Sequence, residues 1–197
     1  MTLLRIIAAL VVAAAPALAQ QAQPPQRPAQ PAQPQRPAQQ APAQQPPAQQ
    51  REGVPASIGR FEDWEAAAFT ERGQKVCYAF TRAVASSPAV QGRDEVILVV
   101  THRGRSRDEV AVRAGYQFPA NAEAVGTVEA AGGNVTLAFF TAGEAAFARD
   151  RPAAVAAFER GRSLRLAAPG PRGGTVTDVF SLRGFTAARR AIGEACR

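Results

Sequence analysis

The sequence predicts a mainly β protein, an antiparallel β-sandwich with one or two peripheral helices, one of them C-terminal. Three observations carry this reading. Many short segments alternate apolar and polar residues with period two, as half-buried strands do. Turns rich in Gly, Asn and Pro separate them at short intervals. Only two segments carry helix punctuation, against about seven or eight strands. No repeat with a period of about 20–50 residues is visible.

In chain order, residues 61–69 read as one strand carrying the only tryptophan, Trp64. Residues 75–80 place Val76, Tyr78 and Phe80 on one face. Residues 95–101 (Glu-Val-Ile-Leu-Val-Val-Thr) are apolar on both faces and suit a central strand. An Arg- and Gly-rich turn over 102–108 precedes a return strand, 109–113, with Val110 and Val112 inward. A second hairpin joins 125–130 to 135–140 through Gly132-Gly133-Asn134. Two further strands, 163–167 and 175–182, flank Pro169-Gly170-Pro171. A helix over 151–160 has Pro152 in its first turn and Gly161 after its end, with Val155 and Phe158 toward the core. The last helix, 186–196, follows Gly184 and puts Phe185, Ile192 and Cys196 roughly on one side.

Two segments precede this domain. Arg5, an apolar run from Ile6 to Ala15, Pro16 and Ala17-Leu18-Ala19 form a signal peptide over 1–19, with cleavage expected before Gln20. An uncleaved anchor is the alternative, although ten apolar residues are short for a membrane span. Residues 20–53 are a Gln/Pro/Ala-rich leader. Of the 31 residues from Gln20 to Gln50, 13 are Gln, 9 Pro and 7 Ala, and the other two are arginines. Such a composition buries too little apolar surface to offset ordering entropy, so the leader is expected to be disordered and extended. Residues 54–197 then make one domain of ordinary size. The chain carries +7. Four arginines and one glutamate lie ahead of Val54, so the domain holds +4 of that charge. The expected location is the periplasm, the outer envelope or the medium, with no integral span after signal cleavage.

Five motifs in order resemble the invasion-associated locus B family of exported bacterial proteins. They are Phe61-Glu62-Asp63-Trp64; Lys75-Val76-Cys77-Tyr78; Asp108-Glu109-Val110 with Gly115-Tyr116-Gln117-Phe118; Phe140-Thr141 with Phe147 and Asp150; and the run from Arg172 to Phe185. The resemblance spans about 58–196. Glu62, Gln117 and Gly174 depart from the family's glycine, proline and threonine. The resemblance implies an exported immunoglobulin-like sandwich, linked in some members to host-cell entry, with no catalytic residues to carry over.

The chain has two cysteines, Cys77 and Cys196. In an oxidising compartment they are expected to form one disulfide. His102 is the only histidine and is expected to sit in a solvated turn, which leaves no N/S ligand set for zinc. No cofactor or metal is expected. The Arg103-Gly104-Arg105-Ser106-Arg107 turn is a candidate polyanion site for an envelope or host-surface partner; with no interleaved aromatics it does not suit nucleic acid. Asp178, mid-strand, is expected to be a structural carboxylate held by Arg172 or a nearby backbone turn. The expected function is therefore surface binding without catalysis. The alternative is a wall- or glycan-processing hydrolase using two carboxylates among Asp63, Glu65, Asp94, Glu95, Asp108, Glu109 and Asp178.

Overall fold

A computed structural model describes residues 53–197. The expected signal peptide and all but the last residue of the leader lie outside the described residues. Ten strands and two helices follow in order: β1 (Ala56–Phe61), β2 (Trp64–Glu71), β3 (Gln74–Ser87), β4 (Ile97–Arg103), β5 (Ser106–Arg113), β6 (Glu123–Ala130), β7 (Val135–Ala142), β8 (Ala145–Ala148), α1 (Arg151–Arg160), β9 (Gly161–Pro169), β10 (Thr175–Ser181) and α2 (Phe185–Ala195).

The architecture corrects the expected immunoglobulin-like sandwich. Strands run β3-β10-β9-β6-β7-β8-β5-β4, and β4 pairs back onto β3. The result is a closed antiparallel barrel of eight strands. β3 makes the closure possible because it is 14 residues long. Its first half pairs with β4 across Val76–Arg103 to Arg82–Ile97. Its second half pairs with β10 from Ala83 to Ser87, across a bulge at Val179/Phe180. The β1–β2 hairpin continues the wall where β10 leaves off, pairing with β3 over residues 74–80. Sandwich and barrel demand the same period-two alternation, since both bury one face of each strand. Local pattern therefore could not separate them.

Three elements also differ locally. Residues 61–69 are two strands, because Glu62 takes a positive φ of 51° and reverses the chain before Trp64. The turn placed at 102–108 shrinks to Gly104-Arg105, with His102 in β4 and Asp108 in β5. β8 has only four residues, three of them alanine, and carries no strand signature of its own. It nevertheless joins β7 to β5 and completes the wall.

The barrel interior is filled by inward residues of every wall strand, including Leu98, Val110, Val128, Phe139, Leu164, Leu166 and Phe180, all at most 1% exposed. Both helices sit at one mouth. α1 leads into the start of β9 and α2 follows the end of β10, and Ser163 pairs with Ser181 there. Asp150 caps α1 by accepting from the Ala153 amide at 2.9 Å. α2 starts at Gly184, with φ of 90°. A Cβ there would run into the Phe61 carbonyl, so this helix start accepts only glycine. The ring of Phe185 packs edge-on against Trp64 and Phe158, with centroids 5.1 and 5.4 Å apart. These rings and Ile192 seal the mouth.

Candidate functional site

Two networks of buried and half-buried polar side chains lie at the two mouths of the barrel. At the mouth away from the helices, Asp178 faces inward from β10 between Val176 and Phe180. Arg93, from the β3–β4 loop, grips it with both guanidinium arms: Nη1 to Oδ1 at 2.8 Å and Nη2 to Oδ2 at 2.6 Å. The two side chains are 7% and 3% exposed. Ser86 Oγ donates to the same carboxylate at 2.7 Å, and Arg93 Nε donates to the Ala114 carbonyl. The Arg93 guanidinium lies over the Tyr116 ring at 5.0 Å, and Tyr116 donates its hydroxyl to Pro169 O at 3.1 Å. Burial pushes the Tyr116 hydroxyl up from its ordinary pKa. Asp178 is thus a bracketed structural carboxylate. Its partner is Arg93, while Arg172 is exposed on the β9–β10 connection.

At the helix mouth, Cys77 of β3 and Cys196, just beyond α2, form the disulfide, with Cα atoms 6.0 Å apart. His102, on the same inward row as Cys77, is 4% exposed rather than a solvated turn residue. Arg107 Nη1 lies 3.0 Å from His102 Nδ1, and His102 Nε2 lies 3.0 Å from Asp108 Oδ1. A guanidinium can only donate, so Nδ1 is the acceptor and the ring proton sits on Nε2, toward Asp108. Arg107 Nη2 also donates to the Cys196 carbonyl at 2.6 Å. Arg189 of α2 forks onto both oxygens of Asp108 at 2.7 Å and reaches Glu159 of α1 at 3.1 Å. The Arg189 fork holds the Asp108 carboxyl below its ordinary pKa, outweighing partial burial, and Asp108 in turn raises the Arg189 guanidinium.

The three arginines singled out in the 103–107 turn therefore have different positions. Arg107 is half-buried in this network, Arg103 lies 3.5 Å from Glu71, and Arg105 stands exposed at the tip. The seven candidate acids are scattered as well. Glu65 and Glu95 both engage Arg82, Asp63 accepts from Ser181 Oγ, and Glu109 pairs with Arg151. Asp108 and Asp178 are held as described, and Asp94 lies in the β3–β4 loop. Among the described residues no group of three or more His, Cys, Asp or Glu could hold a metal ion. No helix there is long and apolar enough to cross a membrane.

Two open depressions flank the Arg189–Glu159 bridge. One, of about 490 Å³, is lined by Arg107, Arg151, Val155 and Arg189. The other, of about 580 Å³, is lined by Phe61, Leu182, Arg190 and Glu194. Glu159 borders both. Arg93 and Arg189, the two arginines that organise the mouths, were not legible in the sequence: one sits in an unpatterned loop, the other on the polar face of a helix.

No protein-family model and no curated protein matches the chain. Among solved structures, the chain is similar to the crystal structure of invasion associated protein B from Bartonella henselae. The likeness has a TM-score of 0.51 and 18% identity, over 71% of this chain and 96% of that one. It is a likeness of fold, and it agrees with the resemblance read from the ordered motifs.

Proposed function

We propose that this chain is an exported, non-enzymatic envelope protein of the invasion-associated locus B type that acts by binding at its surface, with a role in contact with host cells. One observation carries the reading: the groups best suited to acid–base chemistry are engaged in holding the fold. Both nitrogens of the only histidine are occupied, and Asp108 and Asp178 each sit in an arginine fork. The Cys77–Cys196 disulfide fits an oxidising compartment. The fold likeness to invasion associated protein B supports the family assignment.

Two measurements test this. Fractionation of the producing cell, with N-terminal sequencing and non-reducing peptide mapping, should place the protein outside the cytoplasm, starting at Gln20 and cross-linked through Cys77 and Cys196. Recovery in the cytoplasm with both thiols free would reject export. Incubation with cell-wall polymers and envelope glycans should release no new reducing ends. Release that disappears in Asp108→Asn or Asp178→Asn would overturn the non-enzymatic reading in favour of a carboxylate hydrolase.

A further inference from the structure

We propose that the adjacent tips of the β2–β3 and β4–β5 hairpins, with the residue that follows the disulfide, form a binding site for an anionic glycan bearing phosphate or sulfate esters. The proposal rests on the surface-binding reading and names its partner class and its residues.

The site is assembled across the chain. β3 and β4 run side by side, and Val76 faces Arg103 in register, so the Arg72-Gly73 and Gly104-Arg105 turns emerge together. They touch: a Cβ on Gly104 would collide with the Gln74 side chain. The disulfide then brings the end of α2 to the same place. Cys196 Sγ lies 3.9 Å from the carbonyls of both Lys75 and His102, and Arg197 follows directly. Arg72, Lys75, Arg105 and Arg197 thus converge from three separate segments, and all four are exposed.

Charge distinguishes this corner from the barrel wall. Of the exposed arginines on the wall, Arg82 meets Glu65 and Glu95, Arg113 meets Glu144, Arg149 meets Glu123 and Arg165 meets Glu129, while Arg162 of β9 and Arg60 of β1 make no such pair among the described residues. Among the described residues, Arg72, Lys75, Arg105 and Arg197 take part in no such pair. Glu71 is the acid between the tips, and Arg103 already engages it. The cations are carried on a fixed base. Paired strands hold both turns, the disulfide ties in the third segment, and Arg107 clamps the Cys196 carbonyl. A preorganised base lowers the ordering cost of binding.

A single phosphate would gain little from exposed, flexible cations in water. A polymer with repeated esters can engage several at once, since neighbouring strands set the tips about 5–10 Å apart. The tips also offer the Gln74 amide, a partner for sugar hydroxyls, and they carry no aromatic ring on which a base could stack. Glycan polyanions fit this inventory better than nucleic acid.

The experiment compares three full-length proteins: the parent, a tip variant (Arg72→Ser, Lys75→Ser, Arg105→Ser, Arg197→Ser) and a charge-matched control (Arg113→Ser, Arg149→Ser, Arg165→Ser, Arg172→Ser). Binding to heparin, to lipopolysaccharide and to oligo-dT is measured across salt, with melting temperature and disulfide mapping as checks of folding. The Arg72→Ser/Arg105→Ser double variant serves if the quadruple one folds poorly. The parent should bind heparin or lipopolysaccharide with steep salt dependence, the tip variant should bind at least tenfold more weakly, and the control should stay within about twofold. Equal loss in the control would show that net charge alone matters and overturn the site. Oligo-dT binding as tight as the glycans would overturn the partner class. A parent that binds neither glycan would overturn the proposal outright, while the surface-binding reading would still answer to its own measurements.

Discussion

At the helix mouth, Trp64, Phe158, Phe185 and Ile192 fill the opening with apolar rings and methyl groups, and a disulfide fastens the last helix over them. Among the described residues no helix lies at the opposite mouth, and a buried ion pair between Arg93 and Asp178 spans the opening beneath Tyr116. One end is thus held by apolar burial and a covalent tie, the other by charge and directional hydrogen bonds. The difference matters for robustness. Apolar plugs lose stability in proportion to what is removed. A buried pair fails abruptly, because deleting one partner leaves the other desolvated and uncompensated. It also bears on the proposed glycan site, whose four cations all stand exposed at the helix mouth.

The largest expected effect tests the covalent tie. Replacing Cys77 and Cys196 with Ser removes a cross-link of sequence separation 119, which the loop-entropy model values at about 4–5 kcal/mol. Denaturant unfolding should show that loss, and hydrogen exchange should show α2 amides losing protection before those of β9 and β10. Uniform loss of protection would mean that the disulfide does not specifically anchor α2. The other mouth is probed by Asp178→Ala, which strands Arg93 and should lower stability by about 3–5 kcal/mol. The double change Arg93→Met with Asp178→Leu should recover most of it. A cost under about 1 kcal/mol for the single change would remove the ion pair as the closing element.

A smaller effect concerns acid. Asp108 is held below its ordinary pKa by Arg189. A carboxyl with a depressed folded pKa contributes stability above its unfolded pKa of about 4, and that contribution is lost as pH falls through the lower folded value. Asp108→Asn keeps a residue that tolerates the local φ of 55° but removes the charge. It should cost about 1.5–3 kcal/mol near neutral pH and flatten the stability loss below about pH 4. An unchanged acid limb would show that other carboxyls govern it. The smallest effect belongs to the exposed tip. Arg105→Ser should change stability by under about 0.5 kcal/mol, and a larger loss would mean that the tip is part of the fold rather than a free surface.

Much of the element list was legible locally. α1 was bounded by Pro152 and Gly161, and the structure places it at Arg151–Arg160. Val110 and Val112 point inward from β5 as their alternation required. The turn Gly132-Gly133-Asn134 joins β6 and β7. The disulfide followed from cysteine count and inferred compartment. What failed, failed for identifiable reasons. Glu62 turns the chain with a positive φ that its side chain does not advertise, so one strand was read where two exist. His102 looked solvated because its neighbours in sequence are polar, yet its burial comes from Cys77 alongside and the end of α2 above it.

Period-two alternation, helix punctuation and two cysteines were enough to establish a mainly antiparallel β domain with a disulfide-anchored C-terminal helix, because each depends on neighbours in sequence or on a pairing without competitors. Barrel or sandwich, Arg93 or Arg172 for Asp178, and which arginines share a surface were decided only in three dimensions. Alternation says which face of a strand is buried but not which strand it meets. That is settled where the 14-residue β3 changes partners partway along its length, and the same closure brings two hairpin tips and the end of α2 to one corner.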